Sequence, residues 1–133
     1  MEYVVIDTNI IVSAFINSSG SPAGVLSTVI LDEGIILCYN DDILSEYFKV
    51  LTREKFARYG FDMAEINGLL ADIREFGNLV LPPKSTVLFQ DEDDRIFYDT
   101  ALACGAILVT GNVRHFPPEP FIMTAIDYIR LRG

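Results

Sequence analysis

Short apolar runs at Tyr3–Ile6, Ile35–Cys38, Leu79–Leu81, Ala106–Thr110 and Phe121–Met123 alternate along the chain with segments that carry helix punctuation. Strand and helix signals alternating at such short spacing point to βαβ units, and therefore to a parallel sheet covered by helices. The punctuation is explicit. Asn9–Phe15 reads as a short helix that leads into the Asn17–Ser21 loop. Ser21-Pro22 offers a serine N-cap with proline at the first helical position, which predicts a helix to about Asp32 that Glu33-Gly34 ends. Asn40 caps a helix with Ile43, Leu44, Tyr47, Phe48 and Leu51 on one face, running to about Arg53. Asp62-x-x-Glu65 has the spacing of a capping box in acidic form and opens a helix that closes near Phe76-Gly77. Pro82-Pro83 stops the third strand, Asp91–Asp94 opens a helix reaching Cys104-Gly105, and Thr124 caps a terminal helix. No repeat or linker interrupts this pattern, so residues 1–133 are expected to form a single three-layer α/β/α domain around a central parallel sheet.

Length and balance narrow the class further. A chain of 133 residues, 50% of them hydrophobic, buries a core without staples and is globular rather than disordered. The apolar runs are far too short to span a bilayer, and Met1-Glu2 leads into the first strand with no basic leader, so a soluble, cytoplasmic protein without a membrane partner is expected. Cys38 and Cys104 lie far apart among apolar neighbours, with no Cys-x-x-Cys, which favours buried free thiols over a disulfide or zinc pair. Net charge is −9, the wrong sign for non-specific attraction to phosphate. A nucleic-acid partner then requires metal cations to neutralise the acids while a few arginines touch the backbone; a basic protein partner is the other way to use such a surface.

Acids recur at the ends of the strands. Asp7 follows the first run directly, Glu46 lies after the second strand, Asp94 ends an acidic turn, and Asn112 stands behind the strand ending at Thr110. In an open α/β sheet ligands bind outside the carboxyl ends of the strands, so three acids and one amide on that rim suggest a divalent cation site. Helical phase supports the placement. Glu46 sits beside Ile43 and Val50 at the edge of its apolar stripe, where a side chain reaches a rim. Asp94 shares a face with Phe97, Tyr98 and Ala101, an unexpected place for a carboxylate unless something compensates it, whereas Asp99 points roughly 140° away from it. Taken singly, each residue has an ordinary explanation. Asp7 would cap a helix, Glu46 would be a solvated edge acid, the Asp91–Asp94 run would complement a helix N-terminus, Asn112 would be a turn residue, and His115, the only histidine, would pack or face solvent. The conjunction at strand ends is what favours a site.

The ordered motifs Val5-Ile6-Asp7-Thr8-Asn9, Leu44-Ser45-Glu46-Tyr47, Asp91-Glu92-Asp93-Asp94-Arg95 through Ala101, and Leu108-Val109-Thr110-Gly111-Asn112 with Arg114-His115-Phe116 resemble the PIN domain family over nearly the whole chain. The Thr-Gly-Asn-x-x-His-Phe version is similar to stand-alone prokaryotic members. The resemblance implies a PIN-like three-layer fold, a metal-dependent ribonuclease using Mg²⁺ or Mn²⁺, and the toxin half of a toxin-antitoxin pair, with RNA as substrate and an antitoxin protein, or a second copy of the chain, as partner. It puts the acidic ligands on Asp7, Glu46 and Asp94 and the usual fourth acid on Asn112, a departure for which Asp99 or Asp93 would have to substitute. Thr8, Asn9 and Thr110 would then hydrogen-bond ligands or the scissile phosphate, and Arg95, Arg114 or His115 would contact the RNA backbone. Two rivals remain open: a non-catalytic RNA- or protein-binding module of the same fold, and a Rossmann-like phosphotransfer domain, which needs a lysine near the acids where only Lys49, Lys55 and Lys84 exist.

Overall fold

Val4, Val5 and Ile6 of β1 (Glu2–Ile6) are fully buried, so both faces of this strand are covered. An unbroken apolar run suits that position, because a strand with one wet face would alternate. In the computed structural model, which describes residues 1–133, β2 (Ile35–Tyr39) pairs with one edge of β1 and β4 (Ile107–Val109) with the other. β3 (Asn78–Leu79) extends the sheet beyond β2, and β5 (Ile122–Met123) extends it beyond β4. The order is β3-β2-β1-β4-β5 and every pairing is parallel, with Val4 opposite both Leu37 and Ile107, and Ile6 opposite Val109. Strand order therefore reverses between β1 and β4.

The helices α1 (Thr8–Ile16), α2 (Ser21–Leu31), α3 (Asp41–Leu51), α4 (Met63–Phe76), α5 (Arg95–Cys104) and α6 (Ala125–Arg132) complete the three-layer α/β/α architecture. α2 packs on α1 and α6, α5 on β1, β2 and β4, and α3 on α4 and α5. Asn40 holds this arrangement at a junction. Its Oδ1 accepts from the Ile43 N–H at 3.0 Å and caps α3, while its Nδ2 donates to the Val80 carbonyl at 3.0 Å and to Thr100 Oγ1 on α5 at 2.9 Å. Two glycines have a steric reason. A Cβ at Gly77 would stand 2.5 Å from the Ile73 carbonyl oxygen and 2.8 Å from that of Leu37, so only glycine lets α4 turn this close to β2. Gly105 adopts φ +64° just after α5, the left-handed conformation that ends many helices. No single helix is long and apolar enough to cross a membrane.

Local expectations shift in places. Gly20, not Ser21, occupies the N-cap of α2, and no side chain caps that helix. At α4 only Asp62 caps, accepting from the Ala64 N–H at 2.9 Å. The third strand falls on Asn78–Leu79 rather than Leu79–Leu81. The Val80 N–H still reaches the Tyr39 carbonyl at 2.8 Å, but Leu81 is 80% exposed and the prolines that follow have no N–H to continue the ladder. A 3₁₀ helix at Glu54–Tyr59 was not foreshadowed, and another at Glu92–Asp94 moves the start of α5 to Arg95. Cys38 is buried and Cys104 half-buried; both are free thiols, but the separation in sequence does not hold in space, because their sulfurs lie 3.1 Å apart.

Candidate acidic site at the sheet reversal

Asp7 leaves β1 where the strand order reverses, and its backbone N–H still bonds the Val109 carbonyl at 2.9 Å, which ties the end of β1 to the end of β4. Its side chain is 6% exposed. Oδ1 accepts from the Thr8 N–H at 2.8 Å and Oδ2 from the Thr110 hydroxyl at 2.7 Å, with Asn9 Nδ2 at 3.4 Å from the same oxygen. The capping role and the rim position thus coincide in one carboxylate. Asn9 also accepts from the Gly111 N–H at 3.0 Å, and Thr110 Oγ1 accepts from the Asn112 N–H at 3.0 Å, so the β1 and β4 ends form one polar lattice. Burial pushes the Asp7 carboxyl above its usual range despite the lowering effect of Thr110 and Thr8. Thr8 Oγ1, buried at its side, has no hydrogen-bond partner.

Asp94 ends the 3₁₀ turn and makes no side-chain bond to the helix it precedes. Phe97, Tyr98 and Ala101 on its face are all buried, as the helical phase requires. Its carboxyl is pushed up to about 6, first by burial, then by the charges of Asp7 and Asp91, and only partly relieved by His115, whose Nδ1 lies 3.6 Å from Asp94 Oδ2. Glu46 stands half-buried on α3. Burial and then Asp93 raise its carboxyl, against the pull of Lys49 and Arg53, and Asp91 adds to the rise. The Asp7 charge thus acts on Asp94, whereas the acids that act on Glu46 are Asp93 and Asp91. No three acids stand close enough together to grip an ion in this arrangement.

Asn112 is exposed. It lines a cleft of about 500 Å³ with Asn9, Ser13, Ser21, Thr110 and Thr124, which runs from the β4 end toward the start of α2 and contains no charged side chain. Arg114 and His115 are exposed beside it on the turn Val113–His115.

Two candidate residues are engaged by the segment before α5. Asp99 is 5% exposed; its Oδ2 accepts from the Ser85 N–H at 3.0 Å, while its buried Oδ1 has no hydrogen-bond partner. Arg95 is not free for a backbone phosphate. Its guanidinium donates to the Ser85 carbonyl at 2.7 Å, to Ser85 Oγ at 3.0 Å and to the Val87 carbonyl, and it pairs with Glu92 at 2.8 Å. A planar fork satisfied on this many acceptors is an anchor for the irregular segment 80–91.

Two contributors escaped the sequence reading. Asp91 raises Asp7, Glu46 and Asp94 alike, and its carboxylate accepts from the Asp93 N–H at 2.9 Å. Asp91 is the extended N-cap of the 3₁₀ turn that Asp94 ends, three residues on. Tyr47 is the other. Fully buried on α3 beside Glu46, its hydroxyl donates to the Ile6 carbonyl and so braces the end of β1 just before Asp7.

The sheet is all parallel and Asp7 stands at the reversal of its strand order, the place where open α/β sheets bind ligands. A family model described as PIN domain matches residues 3–114, and the chain belongs to the PIN domain family. It is similar to the uncharacterized protein MJ1680 of Methanocaldococcus jannaschii, at 34% identity over 110 residues that cover 82% of this chain and 70% of that protein. Among solved structures it is similar to VapBC2 from Rickettsia felis bound to a DNA fragment from their promoter, with a TM-score of 0.57 and 18% identity, covering 92% of this chain and 96% of that one. At that identity the likeness speaks to the fold.

Proposed function

We propose that this chain is a metal-dependent ribonuclease that hydrolyses RNA phosphodiester bonds at the acidic rim, and that it acts as the toxin of a toxin-antitoxin pair. The observation that carries the reading is the buried Asp7 at the sheet reversal, electrostatically coupled to Asp94 and held by Thr110 and the Thr8 N–H. Membership of the PIN domain family supports it.

The donor set fits Mg²⁺ or Mn²⁺. Asp7, Glu46 and Asp94 supply hard carboxylate oxygens and the Asn112 amide a neutral fourth, though the ion would have to draw the acids closer than they stand; burial and neighbouring acids raise the proton affinity of all three. Asp93, beside Glu46, is the additional candidate. When bound, such an ion supplies an activated water and relieves charge on the attacked phosphate. The chain's own residues do the rest. Thr110 and Asn9 fix the Asp7 carboxylate, while Thr8, with its unpartnered hydroxyl, and Asn112 orient the substrate. The uncharged cleft lined by Asn112 accepts a strand without further repulsion, and exposed Arg114 and His115, on the turn that follows Asn112, meet phosphates. The RNA is single-stranded, since a cleft this small does not admit a duplex. A basic antitoxin covering the acidic surface, and pairing of two copies, complete the proposal.

A second reading, a binding module that does not cleave, is favoured by the amide at Asn112 and by the loose spacing of the acids. Incubating purified protein with mixed RNAs, with and without Mn²⁺, separates the two. The nuclease reading expects cleavage only with Mn²⁺ and none from Asp7→Asn, together with a Mn²⁺-dependent rise in melting temperature that Asp7→Asn shrinks. Binding of RNA without cleavage at any Mn²⁺ concentration would establish the module instead.

A further inference from the structure

We propose that Cys38 and Cys104 are an oxidative modification site, closing to an intramolecular disulfide that staples the end of α5 to β2. The two residues are 66 positions apart in sequence, yet their sulfurs lie 3.1 Å apart, so an approach of about 1 Å reaches the S–S bond length of roughly 2.05 Å. The two elements are tied together nearby. Asn40, two residues beyond Cys38, donates to Thr100, one helical turn before Cys104, and α5 packs directly on β2. Cys104 is half-buried at the last position of α5 and open to an oxidant, while Cys38 lies in the core against Asn78 Nδ2 at 3.8 Å. Cys104 Sγ also lies 3.1 Å from the Thr100 carbonyl, which orients it beside Cys38, and its greater exposure makes it the thiol an oxidant reaches first.

With hydrogen peroxide as oxidant the steps balance. The Cys104 thiolate attacks one peroxide oxygen, an S–O bond forms, the O–O bond breaks, and hydroxide leaves and takes a proton to become water. Cys38 sulfur then attacks the Cys104 sulfenic sulfur, the S–S bond forms, the S–O bond breaks, and the Cys38 proton leaves with the hydroxyl as a second water. Two thiols are oxidised by two electrons and one peroxide is reduced to two waters. The bond acts as a staple rather than an off-switch. Asp94 precedes the opposite end of α5, about 15 Å away along a ten-residue helix, so the acidic rim is left in place.

The test uses the full chain, reduced and then exposed to stoichiometric peroxide, followed by alkylation under denaturing conditions and intact-mass measurement. The expected product is a monomer lighter by two hydrogens that takes up no alkylating agent, yields one Cys38–Cys104 cross-linked peptide, melts several degrees higher, and reverts with dithiothreitol. Its Mn²⁺-induced melting shift is the same as that of the reduced protein. Cys104→Ser, at the half-buried position least able to disturb folding, gives no such product, and neither does Cys38→Ser. Dimers cross-linked through Cys104, a sulfinic Cys104 beside an alkylatable Cys38, or two alkylatable thiols after treatment would each overturn the proposal.

Discussion

A carboxyl pushed up to about 6 holds its proton more tightly in the folded chain than in the unfolded one, and Asp94 does so because burial and the charges of Asp7 and Asp91 outweigh the relief from His115. From the ordinary aspartate value of 3.8 up to about 6, the folded state therefore binds more protons than the unfolded state. Stability must then fall as pH rises through that window and level off above it. Melting temperature measured against pH in a chelator should show this decline, and Asp94→Asn should flatten it and melt higher than the native chain near neutral pH. An unchanged slope in the variant would mean that Asp94 is not the group carrying the repulsion. Asn112 poses the complementary question. Replacing its neutral amide by a carboxylate gives a hard cation another charged oxygen, so Asn112→Asp should tighten Mn²⁺ binding by about tenfold, equivalent to ~1.4 kcal/mol, and raise any cleavage rate. Titration calorimetry that returns the same affinity for both proteins would reduce position 112 to a turn residue.

At the scale of elements, the irregular segment between β3 and α5 hangs on two α5 side chains. Arg95 grips the Ser85 and Val87 carbonyls and lies over the Phe89 ring at 5.1 Å, and Asp99 accepts from the Ser85 N–H. Arg95→Ala should raise amide exchange across residues 84–90 and lower the melting temperature, and Arg95→Lys should restore only part of it, because an ammonium cannot reproduce the fork. Exchange and melting like the native chain's, with only RNA affinity reduced, would return Arg95 to a phosphate-binding role. The placement of this residue also marks how far the sequence could be read. Asp7 and Asp94 were legible because strand-end position and helical phase are local properties, and Asn40 because an N-cap is. Arg95 and Asp99 were not, since a charged side chain near a rim looks the same whether it faces solvent or a passing loop. Asp91 was hidden because, as the cap of a 3₁₀ turn, it looks from sequence like one more acid in a run, and β3 was displaced because hydrophobicity at Leu81 says nothing about the missing donors of Pro82-Pro83.

For the whole molecule, the parallel α/β class was legible from alternation alone, but the order of the strands was not. Pairing of β1 with β4 joins residues some hundred positions apart, about three times the separation of its partners on β2, and nothing local encodes that reversal or the cleft it creates. Charge is the other global property. At −9 the surface repels polyanions, and three of the ten lysine and arginine side chains, Arg74, Arg95 and Arg132, are already paired with Asp41, Glu92, Glu2 and Asp32, while Arg114 next to Asn112 is left unpaired. If RNA is bound chiefly through cations on the acidic rim, its affinity should depend strongly on divalent metal and weakly on monovalent salt. Each phosphate neutralised by a side chain contributes about −0.7 to the slope of log affinity against log salt for a single strand, so the two or three contacts available to Arg114 and its neighbours allow a slope no steeper than about −2. Fluorescence anisotropy with a labelled single-stranded RNA in Ca²⁺, repeated across sodium chloride concentrations and then in chelator, reads both quantities. The expected result is a shallow slope with the cation and no binding without it. Strong binding in chelator with a slope near −4 or steeper would instead mean that the unpaired lysines and arginines hold RNA without the acidic rim, and would overturn the metal-bridged reading.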